Sequence, residues 1–102
     1  MRILMLVRLP TEAFNDAVSE GSAGETLNAI LADAKPESVY FTEMDGLRTV
    51  VMIVNLEKES MIPRLAEPWF LKFDAEVEFH VAMSPDDLKD AGIDGLGEKW
   101  GE

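Results

Sequence analysis

Apolar residues recur along this chain with two periods, one belonging to strands and the other to helices. From Arg2 to Leu9 the odd positions Ile3, Met5, Val7 and Leu9 share one face and Arg2, Leu4, Leu6 and Arg8 the other. Both faces are mostly apolar, which marks a strand in the middle of a sheet. Ala75 to Met83 alternates more strictly, with Ala75, Val77, Phe79, Val81 and Met83 opposite Glu76, Glu78, His80 and Ala82, so one face of this strand is polar. Between them, Ser38 to Met44 and Leu47 to Asn55 are two strand-forming runs separated only by Asp45-Gly46. A two-residue turn of the mirror-image type needs positive φ at both central positions, which Asp tolerates and Gly adopts freely. The turn predicts the register of the hairpin: Met44 faces Leu47, Glu43 faces Arg48 and Thr42 faces Thr49.

Helical spacing fills the gaps. Pro10 stops the first strand and Thr11 is placed to cap a helix whose inward stripe is Phe14, Ala17 and Val18, then Leu27, Ile30, Leu31 and Ala34. Gly21 to Gly24 interrupts that stripe and predicts a break, with Thr26 to Ala34 helical again. Met61, Ile62, Leu65, Ala66, Trp69 and Phe70 predict a second helix, with Pro63 in its first turn and Pro68 expected to kink it. Ser84-Pro85-Asp86-Asp87 opens a last short helix, Ser84 as cap and Asp87 as its reciprocal acid. The few apolar residues beyond it, Leu88, Ala91, Ile93, Leu96 and Trp100, make no core, so this tail must dock on its own domain or on a partner. Gly92 to Gly97 reads as a loop, without the preceding strand that phosphate binding requires.

The resulting order is βαββαβ in a single domain, residues 1–83 forming the core and 84–102 a helical tail. Right-handed crossovers place the strands in the order 4-1-3-2, an antiparallel ferredoxin-like sheet with both helices on one face. The other face carries apolar residues from three strands, more than a stable monomer leaves open. Face-to-face dimerisation is the simplest remedy, and it leaves a barrel-like cavity between two sheets.

With this order in place the chain resembles the dimeric α+β barrel superfamily, which includes muconolactone isomerases and cofactor-free monooxygenases. The resemblance spans roughly residues 1–83. It is carried by the element order and by three stretches: Lys35 to Glu43, Ala66-Glu67-Pro68-Trp69-Phe70, and Met83-Ser84-Pro85-Asp86-Asp87-Leu88. These look like an uncharacterised family of small bacterial proteins within that group. The resemblance implies a homodimer, and it brings no catalytic motif and no functional residue with it.

Charge and composition narrow the partners. Nine basic against twenty acidic residues give a net charge of −11, which disfavours nucleic acid and anionic membrane surfaces. The acids from Glu12 to Glu37 and after Pro85 read as solvated surface or as a docking face for a basic partner. There is no cysteine, so thiolate chemistry and disulfides are excluded. No apolar run approaches the roughly 20 residues that span a bilayer, and the first strand is too short for a signal sequence, so an unprocessed cytoplasmic protein is expected.

Candidate chemistry falls on the polar face of the last strand. Glu76, Glu78 and His80 point one way, and antiparallel pairing with the first strand places Arg8 near Glu76 and His80 near Leu4. His80 is the only histidine and the one side chain suited to proton exchange near neutral pH, so it is the catalytic candidate. Arg8, Glu76 and Glu78 are candidate ligand contacts, joined by Tyr40, Thr42 and Thr49 on the hairpin and by Trp69, an indole that borders either cavity or core. The competing reading is an edge strand whose outward charges discourage further pairing. Three potential ligands in a row on one strand do not converge, so no metal site is expected, and no cofactor. Glu43 and Arg48 are expected to form a structural ion pair.

Three functions fit: a small-molecule-binding dimeric barrel, with or without cofactor-free isomerase or monooxygenase-like activity; a non-catalytic oligomerisation domain whose tail contacts a partner; and a haem-binding barrel using His80.

Overall fold

The computed structural model describes residues 1–102. Its elements are β1 (Arg2–Leu9), α1 (Thr11–Glu20), α2 (Ala23–Ala34), β2 (Ser38–Met44), β3 (Leu47–Asn55), α3 (Met61–Phe73), β4 (Glu76–Val81), α4 (Pro85–Asp90) and α5 (Ile93–Trp100). The strands form one antiparallel sheet ordered β2-β3-β1-β4, the expected neighbours read from the opposite edge. This is an α+β chain compatible with a ferredoxin-like fold, and its helices differ from the simplest expectation: there are five.

The Asp45-Gly46 turn forms as its residues require, with φ of 56° and 78°. Met44 pairs with Leu47, Glu43 with Arg48 and Thr42 with Thr49. The expected Glu43–Arg48 ion pair does not form. Glu43 turns back to accept a hydrogen bond from the Gly46 amide at 3.0 Å, and the Arg48 guanidinium lies 4.9 Å above the Phe14 ring. Each charge thereby takes a partner other than its register neighbour.

Period-two alternation sorts β1 and β3 into two layers. Ile3, Met5, Val7 and Leu9 are buried beneath the helices together with Val50, Met52 and Val54. Phe14, Ile30, Leu65, Trp69 and Phe73 close this core from the helical side, with Phe14 and Phe73 in ring contact at 5.2 Å. The helical stripes are narrower than predicted. Val18, Ile62 and Phe70 are exposed, because the helices lie on a sheet only four strands wide.

Several boundaries moved. Pro10, with φ −58° and ψ 137°, takes the position before the helix, so Thr11 is its first residue and caps nothing. The break at Gly21 is real, with φ 78°, and helix resumes at Ala23, earlier than expected. Pro68 lies inside an uninterrupted α3. The Gly92 to Gly97 segment is not the loop expected: Gly92 takes positive φ and α5 begins at Ile93. The capping box of α4 is as predicted, with Ser84 and Asp87 exchanging hydrogen bonds of 2.9 and 3.1 Å.

The tail leaves the domain. Its radius of gyration, 17.2 Å, exceeds the roughly 13 Å of a compact chain of this length. The longest dimension is 59 Å. Every residue from Pro85 to Glu102 is exposed.

Candidate functional site

The sheet face turned away from α1, α2 and α3 is open. Register fixes its rows: Ser38, Ile53, Leu4 and His80; then Tyr40, Val51, Leu6 and Glu78; then Thr42, Thr49, Arg8 and Glu76. Leu4, Leu6, Val51 and Ile53 occupy the two central strands and form a half-buried apolar floor. Arg8, Tyr40, Thr42, Thr49, Glu76, Glu78 and His80 surround that floor on the same face. Trp69 does not join them. It is 0% exposed, on the other side of the sheet beside Phe73, with its indole N–H unpartnered.

The charged groups at the β4 end form a connected chain. His80 Nε2 lies 3.0 Å from Glu78 Oε1, and Arg8 donates from its terminal nitrogen to Glu78 Oε2. Arg8 pairs by backbone register with Glu76, as expected, but its long side chain reaches the diagonal neighbour Glu78. Its Nε also lies 3.6 Å from Asp45 Oδ2, an ion pair that the sequence reading did not include. The signal was present in the register, since Arg8 opposes Thr49, four residues beyond Asp45. Glu76 is left without a charged partner.

These contacts set the electrostatics. The Glu78 carboxyl is held below its ordinary range, first by the hydrogen bond from His80 and then by that from Arg8. The Arg8 side chain is 19% exposed, less than either partner. A guanidinium has five N–H donors, so one carboxylate contact and one longer ion pair leave donors for an anionic ligand. Glu78 in turn holds the imidazole through Nε2 and leaves Nδ1 without a partner.

Tyr40, 70% exposed, stands at the far end of the Glu78 row. Four strands separate the ends by about 14 Å. Within one chain Tyr40 and His80 share a face without meeting. Thr49 is buried, its hydroxyl donating to the Leu47 carbonyl at 3.0 Å, whereas Thr42 is exposed. No group of three His, Asp or Glu side chains is placed to hold a metal ion. Thr42 and Thr49 border a hollow of about 320 Å³ together with Leu9, Phe14, Phe41 and Arg48, and a groove of about 680 Å³ lies between α2 and α3. No helix is long and apolar enough to cross a membrane.

Neither the protein-family models nor the curated proteins contain a match to this chain.

Proposed function

We propose that two copies of this chain pack by their open sheet faces into a dimeric α+β barrel of ferredoxin-like subunits, and that the enclosed space binds a small anionic or phenolic molecule. The observation that carries this reading is the Arg8–Glu78–His80 chain standing beside the apolar floor of Leu4, Leu6, Val51 and Ile53. A few convergent polar groups over apolar walls is the general composition of a small-molecule site. A second copy supplies what one chain lacks, namely a roof. It also places a second Tyr40 over the floor, which removes the need for Tyr40 and His80 to meet within one subunit. In this site Arg8 orients the anion, Glu78 positions the imidazole and His80 accepts or donates the proton.

Because His80 is the only histidine, its imidazole resonances need no assignment. Titrating salicylate, which is both phenolic and anionic, shifts them saturably in the wild type and does not in Arg8→Met. Identical titrations in the two proteins would overturn the reading.

A non-catalytic oligomerisation domain is the second reading, and the observation favouring it is the unpacked tail. It predicts a dimer in which salicylate leaves His80 unmoved. The haem alternative requires His80 to leave Glu78 or to bind through its other nitrogen, and equal haemin titrations of wild type and His80→Ala would remove it.

A further inference from the structure

The tail and the α2–α3 groove are both unpartnered, and they complement each other. On α5, Ile93, Leu96 and Trp100 fall at i, i+3 and i+7, one helical stripe, and Trp100 is 76% exposed. The stripe has a charged flank on either side. At 100° per residue Lys99 projects to one side of it, Asp94 to the other, and Glu98 to the face opposite the stripe. The groove floor is formed by Ala29 and Ile30 of α2 and by Pro68 and Leu71 of α3, with Leu71 77% exposed. Its α2 wall carries Glu25 and Asp33, while its α3 wall carries Arg64 and Lys72 with Glu67 between them. A helix that laid its stripe on the floor with Lys99 toward α2 would meet opposite charge on both sides.

We propose that this groove is the docking site for the α4–α5 tail of a second copy of the chain. The need for an occupant is physical. An eight-residue helix containing Gly95 and Gly97 does not hold itself together in water, since helices below about 12 residues are marginal and each interior glycine costs about 1 kcal/mol relative to alanine. Yet α5 packs closely on no element of its own chain.

Area argues for a second copy. The chain exposes 7052 Å², against about 5,700 Å² expected of a folded monomer of this mass. The excess, about 1,300 Å², exceeds the roughly 800 Å² that each partner contributes to a standard interface. The geometry of the exit argues against the chain's own groove. The Ser84–Asp87 capping box fixes the direction in which α4 leaves β4, and that direction carries the tail away from the domain. Exchange between two chains leaves that exit as it stands. Docking of this kind, an amphipathic helix in an apolar groove, does not require the sheet-face dimer.

The absence of cysteine makes the test direct. A Leu71→Cys chain is mixed with a Leu96→Cys chain and treated with a short bismaleimide. The expected product is a dimer containing one of each chain. Arg64→Glu with Lys72→Glu in the groove chain lowers its yield about fivefold, and Asp94→Lys in the tail chain restores it. The same mixing in a Val51→Lys background, which breaks the sheet face, still gives the mixed product. A third chain carrying both substitutions that links only within itself would overturn the proposal, as would no mixed product from the two single-cysteine chains or a yield indifferent to the charge exchange.

Discussion

The proposed sheet-to-sheet dimer is most exposed to failure at Val51. This residue pairs with Leu6 at the centre of the open face, in the row that ends at Tyr40 and Glu78. A two-fold interface uses the same patch twice, so Val51→Lys places two ammonium groups in the middle of one contact. Each loses most of its hydration and finds no adjacent carboxylate, because the neighbours are Leu6, Tyr40 and the β-branched Ile53 one row away. An uncompensated buried charge costs about 3 to 5 kcal/mol, hence about 6 kcal/mol or more for the pair. A micromolar dimer is held by about 8 kcal/mol, so the remainder corresponds to dissociation at every practical concentration. Sedimentation equilibrium reads the outcome, with circular dichroism to confirm the fold. Asn15→Lys, on the exposed side of α1, serves as the control and leaves association unchanged. A Val51→Lys protein that associates like the wild type would refute the assignment of this face.

Other consequences concern the charged chain, the turn and the core. Glu78 is held below its ordinary range in the folded protein, so the stability it contributes is complete above the unfolded carboxylate value and is lost as pH falls through the folded one. Urea titrations between pH 3 and 7 therefore show a shallower acid decline for Glu78→Gln than for wild type, and parallel declines would contradict the contact. Gly46 has φ 78° with nothing within 4 Å of an added Cβ, so Gly46→Ala meets only backbone strain. It costs about 1 kcal/mol and lowers Tm by about 4 to 8 °C in a calorimetric scan, whereas an unchanged Tm would mean the turn is not as described. Trp69→Ala removes a fully buried side chain and costs about 3 to 5 kcal/mol in denaturant unfolding. Trp69→Phe costs less, since the lost indole N–H has no partner to leave behind. Costs within about 0.5 kcal/mol of zero for both substitutions would place Trp69 outside the core.

The parts of the fold that follow from period and turn chemistry were legible in the sequence. The ranges of β1, β2 and β3 and the register across Asp45-Gly46 are those expected, because alternation specifies a face and the turn specifies which residues oppose. The grouping of Arg8, Tyr40, Thr42, Thr49, Glu76, Glu78 and His80 on one face follows from the same arithmetic. What the pattern did not carry is reach. A long side chain chooses among several neighbours by distance and charge, so Arg8 passed over its register partner Glu76 for Glu78, and Glu43 and Arg48 turned to Gly46 and Phe14. Asp45 entered the site as an ion-pair partner although its backbone role alone accounts for its place in the turn. Trp69 could not be assigned from helical spacing, which is the same for an indole in a core and one beside a cavity. The α2–α3 groove was invisible because it arises from two helices far apart in sequence.

Native mass spectrometry of the freshly purified protein reads association and occupancy together. An occupied two-chain barrel gives a species of twice 11.3 kDa carrying a small molecule that is released on activation and is absent from Arg8→Met. A species of 11.3 kDa at every concentration would refute the barrel, and so would a dimer whose mass never exceeds that of its two chains, alone or with salicylate added.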